Sequence, residues 1–167
     1  QGLKFHVEQA KGRVVVACFG SNIARLHTLA RIADETGRHL GLLGRSLINT
    51  VSAAKNVGLW NSVKTSVDSA HLGFLPAHTV LLVATGSQGE PRTGLHRLSL
   101  NSFRDMQLSP GDTVIFSSKV IPGNELAIAT LIERLKAMHV DVIDIDNSAL
   151  PIHASGHPAS ENGLTMY

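Results

Sequence analysis

Four separate runs of apolar, mostly β-branched residues in this chain each end abruptly in a short loop of small polar residues. The runs occupy residues 14–19, 40–43, 80–84 and 114–116. In an open parallel sheet all strands point the same way, so loops that follow them meet at one edge, where ligands of such folds bind. The repetition therefore predicts a cleft lined with backbone N–H groups, hydroxyl groups and an arginine.

A helical pattern connects the first two runs. Residues 23–32 place apolar side chains at helical spacing, and either Ser21 or Asn22 is suited to cap the start of the helix. Gly37 is a suitable residue to end it, because glycine adopts the left-handed conformation common after a helix.

Two further helical patterns and a last strand complete the predicted fold. Residues 47–57 and 124–138 have helical periodicity, the second with Asn124 as its predicted N-cap, and residues 141–145 have strand character. The alternation predicts an α/β fold: a Rossmann-like, three-layer arrangement in which a mostly parallel sheet of about five strands is flanked by helices. Residues 61–79 give no clear pattern.

Length and composition limit the classes of protein. The 167 residues, 43% of them hydrophobic, suffice for one domain with a full core and are too few for two ordinary domains. A formal charge of +2 fits a phosphate-bearing partner without establishing one. The chain starts at Gln1 and ends at Tyr167 within an unfinished pattern. We therefore expect one domain, residues 1–167, excised from a larger protein.

The single cysteine, Cys18, bears on compartment and chemistry. One cysteine excludes an internal disulfide framework and fits a reducing cytoplasm, where we expect the protein to act. Because Cys18 lies inside an apolar run, we interpret it as a buried, inert thiol. No stretch approaches the length of a membrane span, so no membrane partner is expected.

The glycine-containing loop after the third run is a candidate anion site. Gly86 and Gly89 would let the backbone approach an anion closely, and Ser87 and Gln88 offer further donors. The loop matches neither a P-loop nor a dinucleotide-binding fingerprint. A tight structural turn is an equally good interpretation of this loop taken alone.

Arg45 stands at the start of a predicted helix, where a cation opposes the helix dipole. Local stability does not explain such a residue. We interpret it as binding a phosphate or pairing with an acid such as Glu90.

A histidine-containing segment lies near the end of the chain. His153 and His157 are spaced to meet on a helix, but Gly156 and Pro158 argue against a helix, so the pair alone does not predict a zinc site. In a loop, a histidine can donate a proton near neutral pH while Ser155 and the Gly156 amide hold an anionic oxygen. The alternative is a surface loop of solvated histidines.

Six segments form an ordered pattern over nearly the whole chain. They are Phe-Gly-Ser-Asn-Ile-Ala-Arg at 19–25, Gly-Arg-Ser-Leu at 44–47, Ala-Thr-Gly-Ser-Gln-Gly-Glu-Pro at 84–91, Pro-Gly-Asp-Thr-Val-Ile-Phe-Ser-Ser at 110–118, Ile-Pro-Gly-Asn-Glu at 121–125 and His-Ala-Ser-Gly-His at 153–157. In this order they resemble the β-CASP domain of bacterial ribonuclease J, a domain inserted within a metallo-β-lactamase domain.

The resemblance implies an enzyme class for the larger protein. Such enzymes are zinc-dependent 5′-to-3′ exoribonucleases that also cut internally and prefer RNA with a 5′-monophosphate end. The family's metal ligands come largely from a His-x-His-x-Asp-His motif, which this sequence lacks. We therefore expect the metal, zinc or manganese, to be bound outside this chain, and the chain alone to be inactive. Homo-oligomerisation of the parent is left open.

The resemblance also assigns residues. It makes His157 the histidine that faces the metal centre and protonates the leaving oxygen, and His153, Ser155 and Gly156 the pocket for an RNA phosphate. The other candidates for contact with RNA phosphates lie on the same predicted edge: Ser117, Ser118, Ser87, Gln88, Glu90, Arg45, Ser21 and Asn22.

Two other functions fit the residues. A free-standing doubly wound module that binds a nucleotide or phosphometabolite without catalysis would have the same composition and loops. A DNA-processing relative of the same superfamily also fits the residues, because contacts with phosphates can be made to both DNA and RNA.

Overall fold

Five short strands rich in valine, leucine and isoleucine form one fully parallel sheet. The structure is a computed structural model, and it describes residues 2–19, 22–58, 69–103 and 106–144. The strands are β1 (Val14–Ala17), β2 (His39–Leu43), β3 (Val80–Ala84), β4 (Thr113–Phe116) and β5 (Asp141–Asp144). The predicted α/β fold with a parallel sheet of about five strands is thus confirmed.

Six α-helices are assigned within the described ranges. They are α1 (Gly2–Gln9), α2 (Ile23–Thr36), α3 (Arg45–Asn56), α4 (Ser69–Leu72), α5 (Gly94–Ser99) and α6 (Glu125–Ala137), and a 3₁₀ turn covers Ala77–Thr79. None of the helices in these ranges is both long and apolar enough to cross a membrane.

The strand order is β2-β3-β1-β4-β5, with β1 at the centre. Ala17 is in register with Ala84 on one side and with Phe116 on the other, and Ala84 is in register with Leu43. These four residues are the last of their strands. The strands therefore end at one level, and the loops that follow them start from the same edge of the sheet.

Alternate residues of the strands belong to two separate cores. Val15 and Ala17 pack in one core with residues of α4, α5 and α6, whereas Val14 and Val16 pack in the other with residues of α1, α2 and α3. Burial on both faces explains why the central strands β1 and β3 are continuous apolar runs rather than alternating patterns. The three-layer arrangement follows from these two cores.

Capping residues define two helix ends. Asn22 caps α2, because its Oδ1 accepts a hydrogen bond from the Arg25 N–H at 3.0 Å. Gly37 ends that helix with φ of 73°. Both predictions are confirmed for these residues. Asn124 occupies the N-cap position of α6 as predicted, but its side chain does not cap the helix; Nδ2 donates instead to Gln88 Oε1 at 3.2 Å.

Candidate functional site

A cavity of about 320 Å³ opens at the carboxyl edge of the sheet, beyond β1, β2 and β3. The loop after β1 leads to α2 on one face, and the loop after the adjacent β3 leads to α5 on the other. Loops that diverge from neighbouring strands leave a crevice between them, which is where ligands of open α/β sheets bind. The described residues that line it are Cys18, Phe19, Gly44, Arg45, Ser46, Thr85, Gly86, Glu90, Arg92 and Thr93.

Two glycines let the loops pack closely enough to form this cavity. Gly44 has φ of 126°, and a Cβ atom there would lie 2.6 Å from Thr85 Oγ1. Gly86 has φ of 112°, and a Cβ atom there would overlap with the Thr93 hydroxyl. Larger residues fit neither the backbone conformation nor the space. The sequence prediction that these loops converge is confirmed for three of the four.

Threonine hydroxyl groups hold the cavity wall in place. Thr85 Oγ1 accepts a hydrogen bond from the Gly94 N–H at 3.1 Å, and Thr93 Oγ1 donates to the Glu90 carbonyl at 2.8 Å. Thr93 is also the N-cap of α5. These bonds connect the loop after β3 to the start of α5, so the wall is preorganised without a ligand.

Arg45 and Glu90 are exposed side chains that both line the cavity. Arg45 is the first residue of α3, whose N-cap residue Gly44 provides no side-chain hydrogen bond. Glu90 Oε1 accepts a hydrogen bond from the Gln88 N–H at 3.1 Å. No ion pair joins these two described side chains. Of the two roles predicted for Arg45, contact with an anion is the one that the geometry leaves open.

Gln88 lies beneath the edge rather than in the cavity. Its side chain is buried; Nε2 donates to the Lys119 carbonyl at 2.8 Å, and Oε1 accepts from the Ile121 N–H at 2.9 Å. Together with the bond from Asn124, these contacts tie the loop after β3 to the loop after β4. The structure thus gives Gln88 a bridging role, and its predicted contact with phosphate stays a prediction.

The serines of the predicted site occupy different environments. Ser117 is buried, and its Oγ donates to the Ala17 carbonyl at 3.1 Å, which joins the ends of β1 and β4. Ser118 is partly exposed. Ser87 is only 2% exposed, and within the described structure its Oγ has no hydrogen-bond partner. A buried hydroxyl without a partner carries a desolvation cost, which makes Ser87 the most unusual polar group at this edge.

Several predicted site residues lie outside the described residues. They are Ser21 and the segment containing His153, Ser155, Gly156 and His157. Asn22 lies inside them, and its side chain serves as the cap of α2.

The described residues do not fit a metal centre. Across residues 2–19, 22–58, 69–103 and 106–144, no three His, Cys, Asp or Glu side chains come together in a group that could hold a metal ion. Cys18 lines the cavity, but burial raises its pKa to about 11, and the nearby Arg25 lowers it by a smaller amount. The thiol therefore stays protonated at neutral pH, as expected for a buried, inert cysteine.

Sequence analysis assigned no binding role to several residues of the cavity lining, among them Arg92 and Phe19. Arg92 lines it from a backbone with φ of 67°, and its N–H group donates to His96 Nδ1 at 3.3 Å. Phe19 ends the first apolar run of the sequence, but it lies past the end of β1 and is 41% exposed. A second arginine next to the glycine-containing loop was visible in the sequence, but its left-handed backbone was not.

Comparison with known proteins identifies what the chain is similar to. The family model described as "Ribonuclease J, beta-CASP domain" matches residues 11–135. The Ribonuclease J of Sinorhizobium meliloti is 38% identical over 161 residues, which is 96% of this chain and 28% of that protein.

Two further relatives agree with this result. The Ribonuclease J of Mycolicibacterium smegmatis is 35% identical over 162 residues, covering 96% of this chain and 29% of that protein. The Ribonuclease J of Thermus thermophilus is 38% identical over 155 residues, covering 93% of this chain and 27% of that protein. The chain thus spans less than a third of the length of these relatives.

Proposed function

Because the chain belongs to the β-CASP domain family of ribonuclease J, we propose that it is the RNA-binding part of a longer cytoplasmic RNA-processing nuclease. The observation that carries this proposal is the cavity at the carboxyl edge, where Arg45 is exposed and forms no ion pair with Glu90. In this proposal residues 1–167 form one β-CASP domain of the longer protein.

The chemistry of the cavity suits the phosphate backbone of RNA. The Arg45 guanidinium presents several donors in a planar fork that matches two oxygens of a phosphate. Gly44 and Gly86, where a Cβ atom would overlap with Thr85 and Thr93, let the loops that form the cavity wall pack together. Contacts with phosphates fix the position of RNA without reading its bases, so we expect weak sequence preference and salt-dependent affinity.

The histidine segment supplies the proposed catalytic group. His157 is proposed to protonate the leaving oxygen, with His153, Ser155 and Gly156 holding a phosphate. The support is the chemistry of the residues, because imidazole can donate a proton near neutral pH. General acid catalysis of this kind contributes about 10²–10⁴-fold to a rate.

The metal of the enzyme is proposed to be bound elsewhere in the longer protein. The family implies a metal-dependent nuclease, and the described residues provide no cluster that fits one. We propose that a metallo-β-lactamase domain of the same parent holds it, with zinc as the expected ion. The parent would degrade RNA from a 5′-monophosphate end and also cut it internally.

Two measurements test the proposal. The purified 167-residue chain, mixed with 5′-monophosphorylated RNA and zinc, is expected to bind the RNA without cleaving it. In the full-length parent, His157→Ala is expected to lower the rate of hydrolysis by at least about 10²-fold. His71→Ala, which changes an exposed histidine on α4, is the matched control and is expected to leave the rate unchanged. Cleavage by the isolated chain that is abolished by a chelator and by His157→Ala would contradict the proposed division of roles.

A further inference from the structure

We propose that the cavity at the carboxyl edge is a subsite for one ribonucleotide, with the base against Phe19 and the phosphate between Arg45 and Arg92. The inference rests on the proposed function, RNA binding, and adds to it the unit of RNA that is bound and two residues that bind it. Four observations carry it: a nucleotide-sized cavity, an exposed aromatic ring, two arginines without ion-pair partners among the described residues, and a carboxylate in the same lining.

The volume suits one nucleotide. About 320 Å³ lies at the lower end of the range for small-molecule sites, which begins at about 300 Å³. The cavity is open on one side and lined by loops from three strands. A single nucleotide can occupy such a space while the rest of the RNA strand continues past it into solvent.

Arg92 reaches the cavity through an unfavourable backbone conformation. A left-handed φ is uncommon for a residue with a side chain and is concentrated at functional sites. The bond from the Arg92 N–H to His96 Nδ1 and the capping bond of Thr93 hold the turn in this form. Arg92 is exposed, and within the described residues neither it nor Arg45 has an ion-pair partner. Two arginines from different loops can therefore hold one phosphate group.

Phe19 provides an apolar surface in the lining of a cavity that also contains arginine and threonine side chains. A single exposed phenylalanine is normal on a protein surface, so its exposure alone means little. Its position is informative, because an aromatic ring beside arginines is the combination with which proteins hold single-stranded nucleic acid. The base stacks on the ring while the cations hold the backbone.

Glu90 gives the subsite a means of selecting RNA. Its Oε1 accepts the Gln88 N–H, and its second oxygen has no partner within the described residues. A free carboxylate oxygen beside a phosphate site repels the phosphate itself but accepts a hydrogen bond from a ribose 2′-hydroxyl. DNA lacks this hydroxyl, so Glu90 is assigned the discrimination between the two polymers.

The first test locates the bound nucleotide on the 167-residue chain. Isotope-labelled protein is titrated with uridine 5′-monophosphate and, separately, with a pentauridylate RNA, while the backbone amide signals are followed by NMR. We expect the signals of Phe19, Arg45, Gly86 and Arg92 to shift with both ligands. The RNA is expected to bind with the higher affinity. Tighter binding of the mononucleotide would overturn the assignment to RNA and support a free-standing nucleotide-binding module.

The second test uses matched variants and the pentauridylate. Phe19→Ala is expected to weaken binding at least about fivefold, the smallest loss usual for a residue on which a base stacks. Arg92→Gln is expected to weaken binding through the loss of a phosphate contact. Arg31→Gln and Phe74→Ala, which change an exposed arginine of α2 and an exposed phenylalanine remote from the cavity lining, are the controls. Glu90→Gln is expected to reduce the preference for RNA over the deoxy oligonucleotide.

The outcomes separate this inference from the proposed function. RNA binding that is unchanged in Arg92→Gln and Phe19→Ala, with amide shifts elsewhere on the chain, would overturn the subsite while leaving RNA binding intact. A wild-type chain that binds no RNA would overturn both. Unchanged thermal unfolding of Phe19→Ala and Arg92→Gln shows that any loss of binding is local.

Discussion

The side-chain amide of Gln88 donates a hydrogen bond to the carbonyl oxygen of Lys119, 2.8 Å away and 31 residues further along the chain. This bond connects the loop that follows β3 to the loop that follows β4. Strands β3 and β4 lie on either side of β1 in the sheet. Only the first of these loops lines the cavity. The second therefore supports the cavity through Gln88 rather than by direct contact.

Replacing Gln88 by leucine is expected to destabilise the chain by about 1–3 kcal/mol, because the hydrogen bonds of its buried side chain to Lys119, Ile121 and Asn124 would be lost. Urea unfolding followed by circular dichroism measures this. Gln107→Leu changes an exposed glutamine and is expected to have little effect. Equal stabilities of the two variants would show that Gln88 does not join the loops.

Arg38 is expected to be the most sensitive arginine for stability. It is 4% exposed, and its guanidinium donates to the carbonyl oxygens of Gly12, Val80, Val7 and Ala10. Lysine cannot reproduce this fork, so Arg38→Lys is expected to cost about 2–4 kcal/mol. Arg31→Lys, on the exposed side of α2, is the control for chemical unfolding. A cost below that of the control would contradict this role.

Cys18 is expected to react slowly with thiol reagents in the folded chain at pH 8 and rapidly after denaturation. Burial raises its pKa to about 11, so the unfolded thiol releases its proton first as the pH rises. Stability should therefore fall from about pH 9 upward through about pH 11, and Cys18→Ala should remove that part of the loss. Unfolding curves over this pH range, with labelling kinetics at pH 8, provide the check. Rapid labelling of the folded protein would show an accessible thiolate.

Alanine substitutions at two glycines with positive φ distinguish the effect of backbone strain from the effect of steric overlap. Gly44→Ala introduces a Cβ atom 2.6 Å from Thr85 Oγ1, whereas Gly123→Ala, at φ of 99°, meets no atom within 4 Å. Both variants incur the cost of an alanine at positive φ, about 1–3 kcal/mol. Gly44→Ala is expected to be less stable than Gly123→Ala and, unlike it, to weaken RNA binding. The same loss of RNA binding in both variants would contradict a role of the cavity in binding RNA.

Sequence reasoning succeeded where a local pattern has one structural cause. The four apolar runs identified β1 to β4 because both faces of these strands are covered, and β5 was identified from the strand character of residues 141–145. Asn22 and Gly37 were identified because capping depends on neighbouring residues. Helices α1, α4 and α5 were missed, since elements of 8, 4 and 6 residues contain too few turns for a clear period.

Long-range contacts set the limit of that reasoning. The side chain of Asn124 bonds to Gln88, 36 residues away, instead of capping its own helix. In the sequence, Arg38 is an ordinary cation near a helix end, and only the fold places four carbonyl oxygens around it. None of these partners is adjacent in the sequence.

The salt dependence of RNA binding tests the central claim, that Arg45 at the carboxyl edge contacts the RNA backbone. Affinities of the 167-residue chain for a short single-stranded RNA would be measured at several salt concentrations for wild type, Arg45→Gln and the control Arg31→Gln. We expect affinity to fall with salt, and the logarithmic slope to be smaller by about 0.7–1 in Arg45→Gln and unchanged in Arg31→Gln. A slope that is the same in all three proteins would contradict the claim.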